Sequence, residues 1–418
     1  MTFRCRFLGA AEDIGRLGFV VESHGSRYLF DYGIAPERPP EYPLPAPSID
    51  QAFLTHAHMD HSGMVPWLSA HTEATVMTTP VTAEVSTLMH HDSLKIARSE
   101  GYPEPFDDHD ISESQRRYED VDFRYPRQVG GMSARFHSAG HIPGAAQVEL
   151  RGDSSAMVFT GDLYTRPQNL VGAGRPVKCD VLCMETTYAG REHPDRQQTE
   201  KDFIAFCQDV ADRGGTTIAA AFAVGRAQEL AMVLAHSGLT VWMDGMARKI
   251  ATIYGRHPEY LGDARAYQRA MRQVKYVRSH RTRATALKEA DVIITTSGML
   301  EGGPILYYAD QLRNDKKSAI AVTGYQVKGT NGRRLMDEGV LDVDMRDPGR
   351  KVYPIHCEVR HFDFSAHAGH EDLVKFAKAT GAEDIVLFHG DNREALEPDL
   401  SDFANVHMPM RGDEFVIH

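Results

Sequence analysis

The stretch LTHAHMDHSG, residues 54–63, places three histidines and an aspartate within ten positions. All four side chains can bind a metal ion, and their spacing is His56-X-His58-X-Asp60-His61. Because side chains alternate along an extended backbone, His56 and His58 can lie on one side, and Asp60 and His61 can reach a neighbouring point. A surface loop that is rich in histidine is the alternative. It does not explain why this strict spacing directly follows the apolar run IDQAFLT.

Three isolated polar residues at other predicted strand ends extend this set. They are His141 in SAGHIPG, Asp162 in FTGDL and His389 in LFHGDN. Taken singly, each is more often a loop histidine or a capping aspartate with satisfied hydrogen bonds. Together with the first cluster they supply five histidines and two aspartates. That set suits two metal ions about 3.5–4 Å apart with one bridging carboxylate.

The elements that must position these residues are of two styles. Short apolar strands such as SAMVFTGD and VLCMETTY run into polar loops, and DIVLFHGDN returns to this style late in the chain. Between them strands and helices alternate, beginning with a helix TEKDFIAFCQDVADRGG for which Thr199 is the expected N-cap. Strict alternation predicts a parallel sheet with crossover helices. The basic cluster VRSHRTR, residues 277–283, is interpreted as a surface turn.

The bulk composition is that of an ordinary globular protein, with 42% hydrophobic and 25% charged residues in a chain of 418. MTFRCRFLGA lacks the apolar core of a signal peptide, and no apolar run approaches the ~18 residues of a membrane span. We therefore expect a cytoplasmic protein without membrane contact. The formal net charge of −12 argues against coating of nucleic acid by bulk positive charge but allows a local basic groove. The five cysteines are predicted to be buried free thiols.

The order of the motifs along the chain resembles the β-CASP family of metallo-β-lactamase-fold ribonucleases. The HxHxDH cluster, the lone His141, Asp162 at a strand end and the late His389 are similar to the metallo-β-lactamase pattern. The motifs ETTY, FAVGRAQE, GYQVKGT, FSAH and HGDN, with the alternating middle region, are similar to the β-CASP pattern. Within the family the chain looks most like archaeal endonucleases of the cleavage-and-polyadenylation-factor type, without the KH domains that many of them carry.

The resemblance implies an α/β fold, namely a metallo-β-lactamase αββα sandwich with an inserted β-CASP domain that holds a parallel α/β sheet. The implied boundaries are 1–194 and 356–418 for the two parts of the metallo-β-lactamase domain and 195–355 for the insertion. Since the metal-site residues run from His56 to His389, the middle region must be an insertion. It is expected to fold over the site and leave a cleft that suits a single strand.

The implied ligand set divides into two groups that share one carboxylate: His56, His58 and His141; Asp60, His61 and His389; and the bridging Asp162. The expected cofactors are two Zn²⁺ ions per chain, although Mn²⁺, iron or cobalt would accept the same ligands.

Three further residues match the remaining family motifs. Asp31 in YLFDYG is expected to fix a ligand histidine, with an ordinary turn aspartate as the alternative. His367 in FSAH is expected to be the general acid that protonates the leaving oxygen, with Glu185 in METTY as its partner. The alternative is that His367 only marks the entry to a helix at HEDLVKFAKA.

Four basic residues are predicted to lie in loops after strands of the insertion and to contact the RNA backbone: Arg226, Lys328, Arg333 and Arg334. Solvated surface charge is the rival interpretation for each of them.

The leading functional expectation is a two-metal ribonuclease of RNA processing or decay. It would cut single-stranded RNA internally and leave 5′-phosphate and 3′-hydroxyl ends. A 5′-to-3′ exoribonuclease of the same family and a catalytically inactive scaffold subunit of an RNA-processing complex are the alternatives. The scaffold is disfavoured because such chains typically lose metal ligands. A small-molecule hydrolase of this fold would need no insertion of about 160 residues. The expected partner is single-stranded RNA, and a homodimer or a complex with RNA-processing proteins is left open.

Overall fold

A computed structural model describes residues 2–35, 37, 39–343 and 352–418. The chain forms two compact units. The first consists of Met1–Pro167, Gly172–Glu192 and Ala366–His418, and the second of Gln168–Val171 and His193–Ser365. Within the predicted insertion, residues 344–351 lie outside the described residues.

The strands of the described residues are, in chain order, β1 (Phe3–Gly9), β2 (Gly18–Ser23), β3 (Ser26–Tyr32), β4 (Gln51–Phe53), β5 (Thr75–Thr78), β6 (Tyr118–Asp120), β7 (Arg127–Val129), β8 (Met132–Ser138), β9 (Ala146–Arg151), β10 (Ala156–Phe159), β11 (Val181–Glu185), β12 (Thr217–Ala220), β13 (Val241–Met243), β14 (Lys275–Tyr276), β15 (Val292–Thr295), β16 (Ala319–Val322), β17 (Val340–Asp342), β18 (Val352–Pro354), β19 (Glu358–His361), β20 (Asp384–Phe388), β21 (Asn405–His407) and β22 (Glu414–Ile417).

The helices are α1 (Met59–Ser62), α2 (Val65–His71), α3 (Pro80–Glu100), α4 (Asp108–Arg117), α5 (Arg196–Asp212), α6 (Arg226–Val233), α7 (Ala247–Arg256), α8 (Ala264–Gln273), α9 (His280–Glu289), α10 (Pro304–Leu312), α11 (Asn331–Glu338), α12 (His370–Thr380) and α13 (Glu397–Leu400). Short 3₁₀ turns lie at Leu234–His236, Pro258–Tyr260 and Arg393–Leu396.

Two seven-stranded sheets build the first unit, with strand orders β22-β1-β2-β3-β4-β5-β6 and β21-β20-β11-β10-β9-β8-β7. The strands form here because apolar residues alternate with polar ones, as in β1, where Phe3, Cys5 and Phe7 are buried and Arg4 is exposed. The inward faces pack against each other, and the ring centroids of Phe30 and Phe159 lie 5.0 Å apart.

Helices cover the outer face of each sheet in this unit. Leu68 of α2 packs on Leu29 and Leu54 outside the first sheet, and Phe376 of α12 packs on Leu182 outside the second. The predicted αββα sandwich is therefore confirmed.

Several residues of the predicted metal site follow the carboxyl ends of strands in the first unit. In one sheet β3, β4 and β5 are parallel, and in the other β10, β11 and β20 are parallel. The carboxyl ends of parallel strands meet at the same edge of a sheet, and polar loops collect there. His56 follows β4, Asp162 follows β10 and His389 follows β20, so the topology gathers distant parts of the chain.

The second unit contains a six-stranded parallel sheet of order β14-β13-β15-β12-β16-β19. Its short strands are apolar throughout, as in β12 and β15, because apolar clusters cover both faces. The predicted parallel sheet with crossover helices is confirmed.

Two local predictions in the second unit are wrong. Helix α5 begins at Arg196 rather than after Thr199, since the Asp195 side chain accepts the amide of Gln198 at 2.8 Å and caps the helix. The cluster at 277–283 is not only a turn, because Ser279 accepts the amide of Thr282 and opens α9 at His280.

All five cysteines are free and buried, as predicted. Among the helices of the described residues, none has both the length and the apolar character that crossing a bilayer requires.

Candidate metal centre

Three histidine rings of the first unit converge on one point. His56 Nε2 and His141 Nε2 each lie 3.1 Å from His58 Nδ1. His56 belongs to the loop after β4, His58 is the residue before α1, and His141 follows β8. The Nδ1–H of His141 donates to the carbonyl of Ala366 at 2.8 Å, which orients the ring so that Nε2 points at the other two. The structure thus brings this predicted group together.

A second group lies beside the first. Asp60 and His61 belong to α1, and His389 follows β20 in the left-handed region at φ 56°. The ligand atoms of these three residues lie within 4.8 Å of one another, and His389 Nε2 is 3.6 Å from Asp60 Oδ2. A non-glycine residue in that region is uncommon and is often found at functional sites.

Asp162 lies between the two groups and faces both. Its Oδ2 is 3.4 Å from His56 Nε2 and 3.6 Å from His141 Nε2. Its Oδ1 is 3.1 Å from His61 Nε2 and 3.7 Å from His389 Nε2. One carboxylate therefore points one oxygen at each group, which is the arrangement expected of a bridging ligand.

Asp31 forms a hydrogen bond with His61, a member of the second group, on the ring nitrogen that faces away from Asp162. It is buried at the end of β3, where its backbone is also left-handed at φ 57°. Its Oδ2 accepts the Nδ1–H of His61 at 2.7 Å and the hydroxyl of Thr55 at 2.8 Å, and its Oδ1 accepts the Thr55 amide at 2.7 Å. The first of these bonds leaves Nε2 of His61 to face Asp162. Sequence reasoning missed Thr55, although its place between β4 and His56 was a signal.

A histidine and a glutamate adjoin the cluster. His367 Nδ1 donates to Glu185 Oε1 at 2.9 Å, and His367 Nε2 lies 3.8 Å from Asp162 Oδ2. Glu185 is fully buried at the end of β11, where its carboxylate also accepts the amides of Leu163 and Thr187 at 2.9 Å each. The glutamate is thereby held rigidly, and it fixes the direction of the His367 ring.

Burial lowers the pKa of an imidazole, whereas nearby carboxylates raise it, and the histidines of the cluster differ in which effect is larger. Burial, reinforced by neighbouring His61, lowers the pKa of His56 to about 3, so that its ring is neutral and can bind a metal. Burial also disfavours charge on His61, but Asp162 and Asp31 outweigh it and raise the pKa of that ring.

The same opposition acts on Asp162 and His367. Burial alone would raise the pKa of Asp162, but the imidazoles around it, His61 foremost, hold that pKa well below its usual range. Burial would lower the pKa of His367, but Glu185 and then Asp162 raise it to about 9. The carboxylates of the centre therefore favour positive charge on His61 and His367, whereas burial keeps His56 and His141 neutral.

The residues present fit a divalent metal. Within the described part of the chain, His61 Nε2 and Asp162 Oδ1 are buried without a hydrogen bond, although they face each other. Buried polar atoms normally have a partner, and a cation between these two would provide it. The donors are imidazole nitrogens and carboxylate oxygens, which are the ligands of zinc and of related transition metals.

The four predicted RNA contacts belong to the second unit and are mostly not loop residues. Arg226 is the first residue of α6, and its guanidinium donates to the Thr323 carbonyl. Arg333 and Arg334 lie in α11, and only Lys328, which is exposed, lies in a loop as predicted. The loop placement was wrong for these three arginines because the loops after β12 and β16 end at Gly225 and Thr330, which cap α6 and α11.

A glycine allows the approach that places Asp60. A Cβ atom on Gly33 would lie 1.7 Å from the Asp60 carbonyl oxygen. The amide of Leu17 donates to the same oxygen at 2.9 Å, and the Ile34 amide donates to the Met59 carbonyl at 2.8 Å. Residues after β3 therefore lie directly against the start of α1, and only glycine fits at position 33.

Three family models match the chain in sequence. Residues 15–176 match the metallo-beta-lactamase superfamily, residues 227–335 match the Beta-Casp domain, and residues 352–405 match the Zn-dependent metallo-hydrolase RNA specificity domain.

Curated archaeal proteins are similar over nearly the whole chain. A probable RNase, MJ4, of Methanocaldococcus jannaschii is 32% identical over 93% of this chain and 93% of its own length. An RNase named aCSPSF2 of Saccharolobus solfataricus is 29% identical over 95% of this chain and 81% of its own length. Transcription termination factor FttA of Methanocaldococcus jannaschii is 30% identical over 94% of this chain and 68% of its own length.

One solved structure shares the fold. It is a protein of unknown function from Enterococcus faecalis V583, which superposes with a TM-score of 0.63 at 15% identity over the full length of both chains. At that identity the likeness concerns the fold alone.

Proposed function

The chain belongs to the β-CASP family of metallo-β-lactamase-fold ribonucleases, and we propose on that premise that it cuts single-stranded RNA internally and leaves 5′-phosphate and 3′-hydroxyl ends. It is a metal-dependent hydrolase of phosphodiester bonds. The archaeal relatives named as RNases support RNA as the substrate.

The observation that carries the proposal is the His367–Glu185 pair beside the metal-binding cluster. A metal cluster alone is common to many hydrolases of this fold. An imidazole with one nitrogen 2.9 Å from a buried carboxylate and the other 3.8 Å from Asp162 can also deliver a proton to a leaving group. Phosphodiester hydrolysis needs such a proton because the departing alkoxide is a strong base.

His56, His58, His141 and Asp162 would hold one ion, and Asp60, His61 and His389, again with Asp162, would hold the other. We assign two Zn²⁺ ions, and Mn²⁺ would accept the same donors. When bound, such a pair polarises a phosphoryl oxygen and activates water at neutral pH.

His367 is the general acid in this proposal. Water forms a new bond to phosphorus and releases one proton to solvent, while the bond between phosphorus and the ribose 3′-oxygen breaks. That oxygen takes a proton from His367 Nε2, and the imidazole regains a proton from solvent before the next turnover. The 5′-phosphate then stays on the downstream fragment. Glu185 accepts the Nδ1–H and so keeps the proton to be transferred on Nε2.

Asp31 acts through His61 rather than on the RNA. By accepting the Nδ1–H of His61 it keeps the Nε2 lone pair available to a metal. It is therefore a positioning residue, as Glu185 is for His367.

A time course on a 5′-labelled, unstructured RNA of a few tens of nucleotides, with and without a chelator, tests the proposal. Internal fragments that vanish with chelator support an endonuclease. Release of labelled mononucleotide would assign the chain to 5′-to-3′ exonucleases instead. RNA that is bound but uncut with zinc or manganese would indicate a scaffold.

Two substitutions separate the roles within the site. Asp162→Ala should lower bound metal and abolish cleavage. His367→Ala should keep the metal and slow cleavage by roughly 10²–10⁴. His407→Ala is the matched control, because its ring also pairs with a carboxylate, Asp384 at 2.7 Å, but lies outside the cluster. If the His367→Ala enzyme cleaves as fast as the control, the assignment of His367 as the general acid is refuted.

A further inference from the structure

One stretch of the second unit has a charge opposite to that of the chain. Residues 245–288 contain eleven Lys and Arg but two Asp and Glu, whereas the whole chain has a formal net charge of −12. The stretch includes α7, α8, β14 and most of α9. Positive charge is thus concentrated on neighbouring elements of one unit.

Helix α8 arranges part of this charge as a stripe. Arg265, Arg269 and Arg272 are spaced by four and three residues, so they lie on one face, and all three are exposed. The opposite face buries Tyr267 and Ala270, and the Tyr267 hydroxyl donates to the Ala251 carbonyl of α7 at 2.8 Å. The packing of α8 therefore fixes which face of the helix is exposed with the three arginines.

Within α8 the stripe has no acidic partner, although Asp263 just before the helix attracts Arg269 and Arg265. The sequence of α8 contains no Asp or Glu, and Asp263 caps the helix by accepting the Ala266 amide at 2.9 Å. Among the described residues, no salt bridge reaches Arg265, Arg269 or Arg272. Three exposed basic residues on other helices do pair along their helix: Arg116 with Glu113, Arg333 with Asp337 and Lys375 with Glu371.

The charge continues from α8 to the edge of the sheet. Lys275 lies in β14, the edge strand of the parallel sheet, and Arg278 follows it, both exposed. Lys275 also pairs with Glu289 at 3.3 Å, on the exposed surface. Like charges three and four residues apart destabilise a helix, and here they extend over an edge strand as well. A polyanion bound along these residues would relieve that repulsion.

We propose that this basic edge, defined as Arg265, Arg269, Arg272, Lys275 and Arg278, binds the phosphate backbone of RNA outside the site of cleavage. The inference rests on the proposed function, since the RNA is the substrate itself. Guanidinium groups present a planar fork of donors that suits phosphate oxygens. Contacts of this kind read no sequence, so they hold long RNAs of any sequence.

An acidic protein would be the other polyanion, and the surface does not favour it. Protein interfaces are centred on buried apolar or aromatic anchors. The large apolar side chains that are exposed in the described residues all lie outside 245–288. The edge offers charge without such an anchor, which fits a nucleic-acid backbone.

The test compares a triple variant with a charge-matched control. Arg265→Glu, Arg269→Glu and Arg272→Glu are combined in one chain. Lys95→Glu, Lys201→Glu and Lys316→Glu are combined in another, since these three lysines are exposed on other elements and have no salt bridge in the described residues. Binding of a labelled, unstructured 30-nucleotide RNA is measured by anisotropy in chelator at several salt concentrations.

We expect the slope of log K against log salt concentration to fall by about 2 in the arginine variant, at roughly 0.7 per phosphate contact of a single strand. It should stay unchanged in the lysine control. A triple Arg→Gln variant serves as a second test in case charge reversal disturbs folding. Its slope should fall by the same amount, and its loss of RNA affinity should be smaller. Hydrolysis of a small chromogenic phosphodiester by the metal-loaded arginine variant should stay at the wild-type rate.

If the arginine variant and the lysine control have equal slopes of log K against log salt concentration, the proposal that the basic edge binds RNA is refuted, even if the RNA is still cut. If RNA binding needs the three arginines but the RNA is never cut, the RNA-binding role of the basic edge is supported and the proposed nuclease activity is refuted. The two proposals therefore fail separately.

Discussion

Replacing Asp31 with Asn should weaken metal binding while leaving the fold intact. The substitution keeps the size of the side chain, and Asn tolerates the left-handed backbone at φ 57°. The retained Oδ1 can still accept the Thr55 amide. The change is confined to the second oxygen, which becomes an NH₂ donor facing Nδ1 of His61. The Thr55 hydroxyl, which donates to that oxygen, can rotate and accept from the NH₂ group instead.

The expected size follows from that one bond. A hydrogen bond to a charged group contributes about 1.5–3 kcal/mol. An amide donor at Nδ1 favours the His61 tautomer with the proton on Nε2, the nitrogen that faces Asp162 at 3.1 Å. A metal would have to displace that proton or do without the ring. Since each 1.4 kcal/mol is a factor of ten, affinity should fall roughly 10- to 100-fold.

Zinc affinity is measured by competition with a chromophoric chelator, and folding by urea unfolding of the metal-free protein. Asp180→Asn is the matched control, because Asp180 also accepts a backbone amide, that of Ala156 at 2.7 Å, in the same unit without touching the cluster. Wild-type zinc affinity in Asp31→Asn would refute the role given to Asp31. Equal losses in both variants would show a general effect of charge.

Three other changes test the site and its surroundings. Chelation should lower the thermal midpoint of the wild type, since a metal that binds only the folded state stabilises it by about 4 kcal/mol at a thousand times its Kd; a similar drop in Asp162→Ala would count against the cluster as the binding site. Gly33→Ala should cost about 1–3 kcal/mol in urea unfolding and lower metal content, because its Cβ would meet the Asp60 carbonyl at 1.7 Å. Gly172→Ala, with open space around its Cβ, should do neither. Burial raises the pKa of Cys179 to about 12, so at neutral pH its thiol stays protonated and should react with a disulfide reagent only after unfolding; fast labelling of the native protein would contradict its burial.

Much of the fold was predictable because local pattern and topology agree. Alternation of buried and exposed residues marks strands such as β1, and the strand–helix alternation of the middle region requires parallel strands. Helix ends were less predictable. Both Asp195 and Thr199 are good N-caps, and only the backbone geometry selects Asp195.

In the candidate site too, some residues could be predicted from the sequence and others could not. The sequence by itself indicated His56, His58, Asp60 and His61 as a metal-binding cluster, because the four residues lie within six positions and local geometry alone can bring them together. It also offered His389 as a candidate from its place at a predicted strand end, but only the family resemblance assigned it to the group of Asp60 and His61, since more than three hundred residues intervene.

Only the tertiary structure decided which atoms face each other. Strand β4 belongs to one sheet, and β10 and β20 belong to the other. The loops that follow these strands meet at one end of the two packed sheets, and this places Asp162 with one oxygen toward each group of histidines. It likewise put Thr55 behind Asp31 and left His367 between Glu185 and Asp162. Residue type and spacing set what chemistry is available, but hydrogen-bond direction depends on positions in space that the chain reaches only when it folds.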